Sequence, residues 1–148
     1  MTGHSGLHYN TSFQQLLAPA NHSAAVTSAA LDLQNYDMAE LLVSVGAAVD
    51  TLSGTVRIEC AVQASDDGST NWAAVPDADI TTPVAGGVAT GTFAILNANS
   101  QLPGVYFVGY IGNKRYIRAQ VNYVGATSGE ICDVLGLAGR PKIAQVNA

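Results

Sequence analysis

TVRIECAVQASDDGSTNW, residues 55–72, decides the fold. Val56, Ile58, Cys60 and Val62 fall on one face of an extended chain, and Arg57, Glu59, Ala61 and Gln63 on the other. Side chains of a strand alternate with a period of two, so the stretch reads as a half-buried β-strand. It runs into Asp66-Asp67-Gly68. Asp hydrogen-bonds its own backbone and Gly accepts positive φ, which is what a tight reversal needs. Trp72 then falls on the returning chain, where it would plug the rim of a sandwich.

The same grammar extends both ways. AALDLQNY and AELLVSVGA are short apolar runs joined at Asn35 to Asp37, and GVATGTFAIL, VYFVGYI, KRYIRAQVNYV and GEICDVLGLAG follow the quoted stretch. In KRYIRAQVNYV, Ile117, Ala119, Val121 and Tyr123 share one face, and Tyr116, Arg118, Gln120 and Asn122 the other. PDADITTPVAGGVATG, punctuated by Gly and Pro, reads as a long loop. Seven or eight short strands at this spacing, with no long amphipathic helix between them, exclude parallel βαβ construction. The expected architecture is all-β: two packed antiparallel sheets, a β-sandwich of jelly-roll kind.

Residues 1–30 read differently. They carry no charged side chain, and Phe13, Leu16 and Leu17 have helical spacing that Pro19 ends. Such a segment buries too little to fold alone. It is read as an extended N-terminal arm whose anchors, Leu7, Tyr9, Phe13, Leu16 and Leu17, lie on a neighbour or on the domain's own flank; the plain alternative is a frayed terminus. The expected division is thus an arm at 1–30, a sandwich at 31–138 and a tail at 139–148.

Composition bounds the partners. The chain has 148 residues, one ordinary domain, and only 11% are charged, against about 25% in an average domain. A poorly charged surface suits a protein packed against others. The net charge of −5 argues against nucleic acid. Five of the six basic residues (Lys114, Arg115, Arg118, Arg140, Lys142) fall in the last 35 positions, and nine of the eleven acidic ones before residue 80. Besides chance, this fits a subunit that docks acidic side to basic side. No signal peptide and no apolar run of membrane-spanning length is expected. Cys60 and Cys132 sit in apolar strands and read as small buried hydrophobes, with a disulfide between two sheets as the alternative that spacing leaves open.

Catalytic chemistry finds little to stand on. Asp66, Asp67 and Ser69 lack the alternating oxygens and closing Glu of a calcium loop. His4 and His8 are four apart, but Gly3 and Gly6 oppose the helix that would bring them together; with His22 they read as solvated or interface-facing. No nucleophile elbow and no Gly-rich phosphate loop followed by Lys occurs. The expectation is no enzyme, no cofactor and no metal. One cluster reads as a contact patch: in GNKRYIRAQVNYVG, Lys114, Arg115, Tyr116 and Arg118 gather near a strand start, residue types favoured at interface centres. An edge strand guarded by charge is the plain alternative.

The order of ALDL, AELLVSVG, the strand ending in QASDDGSTNW, GVYFVGYIGNKRYIRAQVNYVG and a closing apolar strand resembles small head proteins of tailed bacteriophages, among them capsid cement or decoration proteins with a jelly-roll or β-sandwich body. The likeness spans residues 29–138 and rests on strand grammar rather than a catalytic signature. It implies a virion protein, made in the host cytoplasm, that binds the outer surface of the assembled capsid and stabilises it. The implied partners are the major capsid protein and copies of itself, without nucleic acid or membrane. The contacts expected are the arm residues and the basic Tyr/Arg patch. SDDGSTNW followed by KRYIRAQV is similar also to discoidin-type carbohydrate-binding modules, over less of the chain, and a neck or tail subunit of the same phage remains a third reading.

Overall fold

A computed structural model describes residues 11–125 and 128–141. Ten strands form two antiparallel sheets: β1 (Thr11–His22), β2 (Val26–Thr27), β3 (Leu31–Asp32), β4 (Tyr36–Val45), β5 (Arg57–Ser65), β6 (Ala73–Ala74), β7 (Thr92–Leu96), β8 (Gly104–Tyr110), β9 (Tyr116–Val124) and β10 (Glu130–Pro141). One sheet has the order β1-β10-β4-β8; in the other β9 and β5 are central, with β2 and β3 sharing the outer edge of β9, and β6 and β7 that of β5.

The order has a simple logic. β1 pairs with β10, β2 and β3 with β9, β4 with β8, and β5 with β6 and β7. The first half of the chain is thus zipped to the second as one long hairpin. Rolling that hairpin adds the pairs β10·β4 and β5·β9 and places alternate layers in opposite sheets. This is a jelly roll, two sheets with interlocked Greek-key connections.

The core follows the period-two faces. Ile58, Cys60, Val62 and Ala64 of β5 and Ile117, Ala119 and Val121 of β9 meet Leu41, Val43 and Val45 of β4 and Cys132, Val134 and Ala138 of β10. Fully burying a branched aliphatic chain is worth roughly 1.5–3 kcal/mol. Cys60 and Cys132 are buried and free.

Two expectations need correction. Residues 11–22 form no helix: they are the edge strand β1, with register shifts at Gln15/Leu17 and Leu17/Ala20. Antiparallel pairing with β10 satisfies the backbone along its length, and Pro19 sits at the second irregularity, where a missing N–H costs least. Leu16 turns inward, 6% exposed, over Gly136, where a Cβ would come within 2.8 Å of Leu16 Cδ1. Residues 11–30 are therefore built into both sheets. Second, the outer face of β5 is not solvated at its middle: Glu59 and Ala61 are 0% and 1% exposed. The long loop folds back across it, and Glu59 Oε2 accepts the Val88 N–H at 2.7 Å.

Candidate functional site

The acidic turn builds itself. Asp67 Oδ1 accepts the N–H groups of Ser69 and Thr70 at 2.9 and 2.8 Å, and Oδ2 accepts the Thr70 hydroxyl. Ser65 Oγ accepts from the Asp67 and Gly68 N–H groups, and Gly68 takes φ 73°. These donors, the Thr70 hydroxyl first and then the N–H groups of Ser69 and Thr70, hold the Asp67 carboxyl well below the usual carboxylate range. Asp66 points away and pairs with Lys114 Nζ at 2.6 Å. Both carboxylates are thereby committed to the turn and its neighbour hairpin.

The basic patch is spent within the chain. Lys114 holds Asp66; Arg115 forms a two-pronged pair with Asp32, at 2.9 and 2.8 Å. Arg118 lies 4.2 Å from the Trp72 ring centroid and donates to Gln63 Oε1 at 2.8 Å. Arg115 also sits over Tyr116, 4.8 Å from its centroid. The Asp32 pair pushes Arg115 up and Arg115 pulls Asp32 down, each chiefly through their hydrogen bond. Lys114, Arg115, Tyr116 and Arg118 do come together, as expected, but as a lattice joining β3, β5, β9 and the acidic turn. Trp72 is a stacking platform whose face Arg118 already covers. A hollow of about 400 Å³ beside Tyr110, Lys114 and Arg115 opens at this end of the sandwich.

The arm anchors divide. Leu7 and Tyr9 lie outside the described residues, as do His4 and His8. Leu16 belongs to the core and Leu17 packs against it; Phe13 points outward, 55% exposed. The outer end of β1 holds a different feature: His22 Nε2 and Glu130 Oε2 are buried without a hydrogen-bond partner among the described residues. Glu130 Oε1 accepts the Val49 N–H at 2.8 Å, tying the β4–β5 loop to β10.

Sequence reasoning missed one surface feature, the outer face of the four-stranded sheet. Register rows cross it. Gln15, Leu135, Leu42 and Phe107 form the central row; Phe13, Leu137, Glu40 and Gly109 lie on one side, Asp133, Ser44 and Val105 on the other. Phe107, Val105, Ile131, Phe13 and Met38 are each more than half exposed. Its charges, Glu40, Asp133 and Arg140, have no ion pair among the described residues. At one end, over Gly139, Phe13, Met38, Glu40, Leu137 and Arg140 line an apolar groove of about 370 Å³. A solvated sheet face is normally polar at alternate positions, and contiguous apolar patches of this kind mark contact sites. The signal was present: VYFVGY and LLVSV are apolar at both parities, not one.

No protein-family model matches this chain, and no curated protein matches it. Among solved structures, the SPBc2 prophage-derived protein YomS is similar, at 16% identity and TM-score 0.44, over 88% of this chain and 94% of that one. Structures of infectious bursal disease virus align at 11% identity and TM-score 0.24: the Gt strain over 93% of this chain and 43% of that one, the Gx strain over 86% and 39%. At such TM-scores these likenesses bear on neither architecture nor role.

Proposed function

We propose that this chain is a structural protein of a bacteriophage virion that binds the outer surface of the capsid and stabilises it, acting by association and performing no bond chemistry. The observation that carries the reading is the exposed apolar outer face of the β1-β10-β4-β8 sheet, on a jelly roll whose basic patch and acidic turn are consumed by internal contacts. An apolar face this continuous is unfavourable in water and favours a protein that spends its working life covered. The apolar face marks a protein that works by association, and the resemblance in strand grammar to phage head proteins supplies the assembly in which it does so. Repeated copies on a symmetric lattice gain avidity without strong single contacts.

The carbohydrate-binding reading loses ground at Trp72 and Tyr116, because guanidinium groups occupy the aromatic surface a sugar ring would stack on.

A cryo-EM map of the virion that encodes this chain tests the reading. Density for the jelly roll on the shell exterior, with purified protein saturating purified empty heads in cosedimentation, is expected. Density confined to neck or tail, or absence from the virion, overturns it. Because β1 begins at Thr11, the arm is tested by deleting residues 2–10; weakened cosedimentation with unchanged circular dichroism is the expected outcome.

A further inference from the structure

The outer face of the four-stranded sheet is self-complementary. Its central row is Gln15, Leu135, Leu42 and Phe107, with strands running at right angles to it. Consider a second copy laid face to face, related by a two-fold axis along that row. Each strand then meets its own counterpart running the other way, and positions equally far from the row come opposite one another.

The consequences can be read from the register. Leu135 and Leu42 meet themselves on the axis. Two rows out, Ile131 and Gly139 are equidistant from Leu135, and Met38 and Gly46 from Leu42. Ile131, 56% exposed, therefore comes over Gly139 of the other copy, at the apolar groove of about 370 Å³. Met38, 51% exposed, comes over Gly46. Each protruding side chain meets a position with no side chain.

The charges follow the same rule. Glu40 comes opposite Ser44, a hydroxyl donor. Asp133 comes opposite Leu137, an apolar position. A two-fold contact must be complementary to itself, and here one operation seats both knobs and places Glu40 opposite a hydroxyl donor. Four strands about 4.8 Å apart and five rows about 6.8 Å apart give a planar footprint on the order of 600 Å² before side-chain relief is counted. That is close to the ~800 Å² per partner of a standard interface.

We propose that this face joins two copies of the chain into a face-to-face dimer, packed as aligned sheets about 10 Å apart. The proposal deepens the association reading above by naming the first partner of that face; the shell then meets surfaces the dimer leaves open.

The test uses the full chain. Sedimentation equilibrium is expected to give twice the 15.2 kDa chain mass. Leu42→Glu places two like charges on the axis and should weaken the dimer by at least about 30-fold, a hot-spot loss, with circular dichroism unchanged. Leu135→Cys keeps the face apolar and puts the new thiol on the axis; mild oxidation should yield a covalent dimer, whereas Gln120→Cys on the other sheet should not. A monomer at ~100 µM, or equal cross-linking of both cysteine variants, overturns the dimer. A monomer that still decorates shells would leave the capsid reading standing. A Leu135-linked dimer absent from virions would leave the dimer standing and sink the capsid reading.

Discussion

Asp67 shows how much of a protein is legible at the scale of one residue. Its turn was readable because every donor it uses lies within four positions, at Ser65, Ser69, Thr70 and Asn71. Those hydrogen bonds favour the charged form and depress its pKa in the fold. The unfolded carboxyl titrates near ~3.9. A depressed folded value means the stabilisation is complete above that pH and fades as pH falls through the folded pKa. Asp67→Asn keeps one acceptor oxygen and loses the charge. It should lower the melting temperature at pH 7, and the gap to the parent should narrow steadily below about pH 4; a gap independent of pH would refute the assignment. Glu59 is the opposite case. Its carboxylate is fully buried between the Arg57 guanidinium and the N–H of Val88, 29 residues away. Nothing local marks it as buried, so the alternation was legible and the covering loop was not. Glu59→Ala strands both donors and should cost on the order of 3 kcal/mol in urea unfolding, with faster proteolysis within residues 81–91.

At the scale of elements, β1 is the segment whose secondary structure was misread. Phe13, Leu16 and Leu17 are spaced as on a helix because two register shifts disturb the alternation that would have revealed a strand. Its pairing strand, β10, lies more than a hundred residues further on, beyond the reach of any local pattern. The body strands were legible where one face is polar, as in β9. They were ambiguous where both parities are apolar, as in β8 and β10, and there the second parity is the exposed outer face. β1 separates the two roles of its side chains. Leu16→Ala should destabilise the fold by about 2–4 kcal/mol, since Leu16 fills the space over Gly136. Phe13→Ala, exposed on the single chain, should change stability by no more than about 0.5 kcal/mol when both are measured in the Leu42→Glu background that weakens pairing. Equal losses in chemical denaturation would mean that β1 is not seated as described.

For the whole molecule, two sheets and antiparallel pairing could be anticipated from strand count and turn spacing, but the rolled order could not, since which strand neighbours which is decided by non-local pairing. The cysteines, one from each sheet, are buried as their apolar strands indicated, but that the roll brings them into one core was not legible. Burial pushes the Cys60 thiol up to about 12, with Cys132 as the next cause; burial also raises Cys132. A thiol reacts as its thiolate. Neither cysteine should react with Ellman's reagent in the native protein over an hour, and both should in urea; rapid native labelling would contradict the packing of this core.

The pairing of β1 with β10 also constrains how the chain is made. β1 pairs with β10, more than a hundred residues further along, so this border of the four-stranded sheet stays unpaired until β10 has been made. Nested long-range pairing of this sort gives slow folding and a lasting exposure of sticky intermediates. Overproduction should accordingly be limited by collapse before β10 is available, and a slower, cooler synthesis should recover more native material than a stronger promoter.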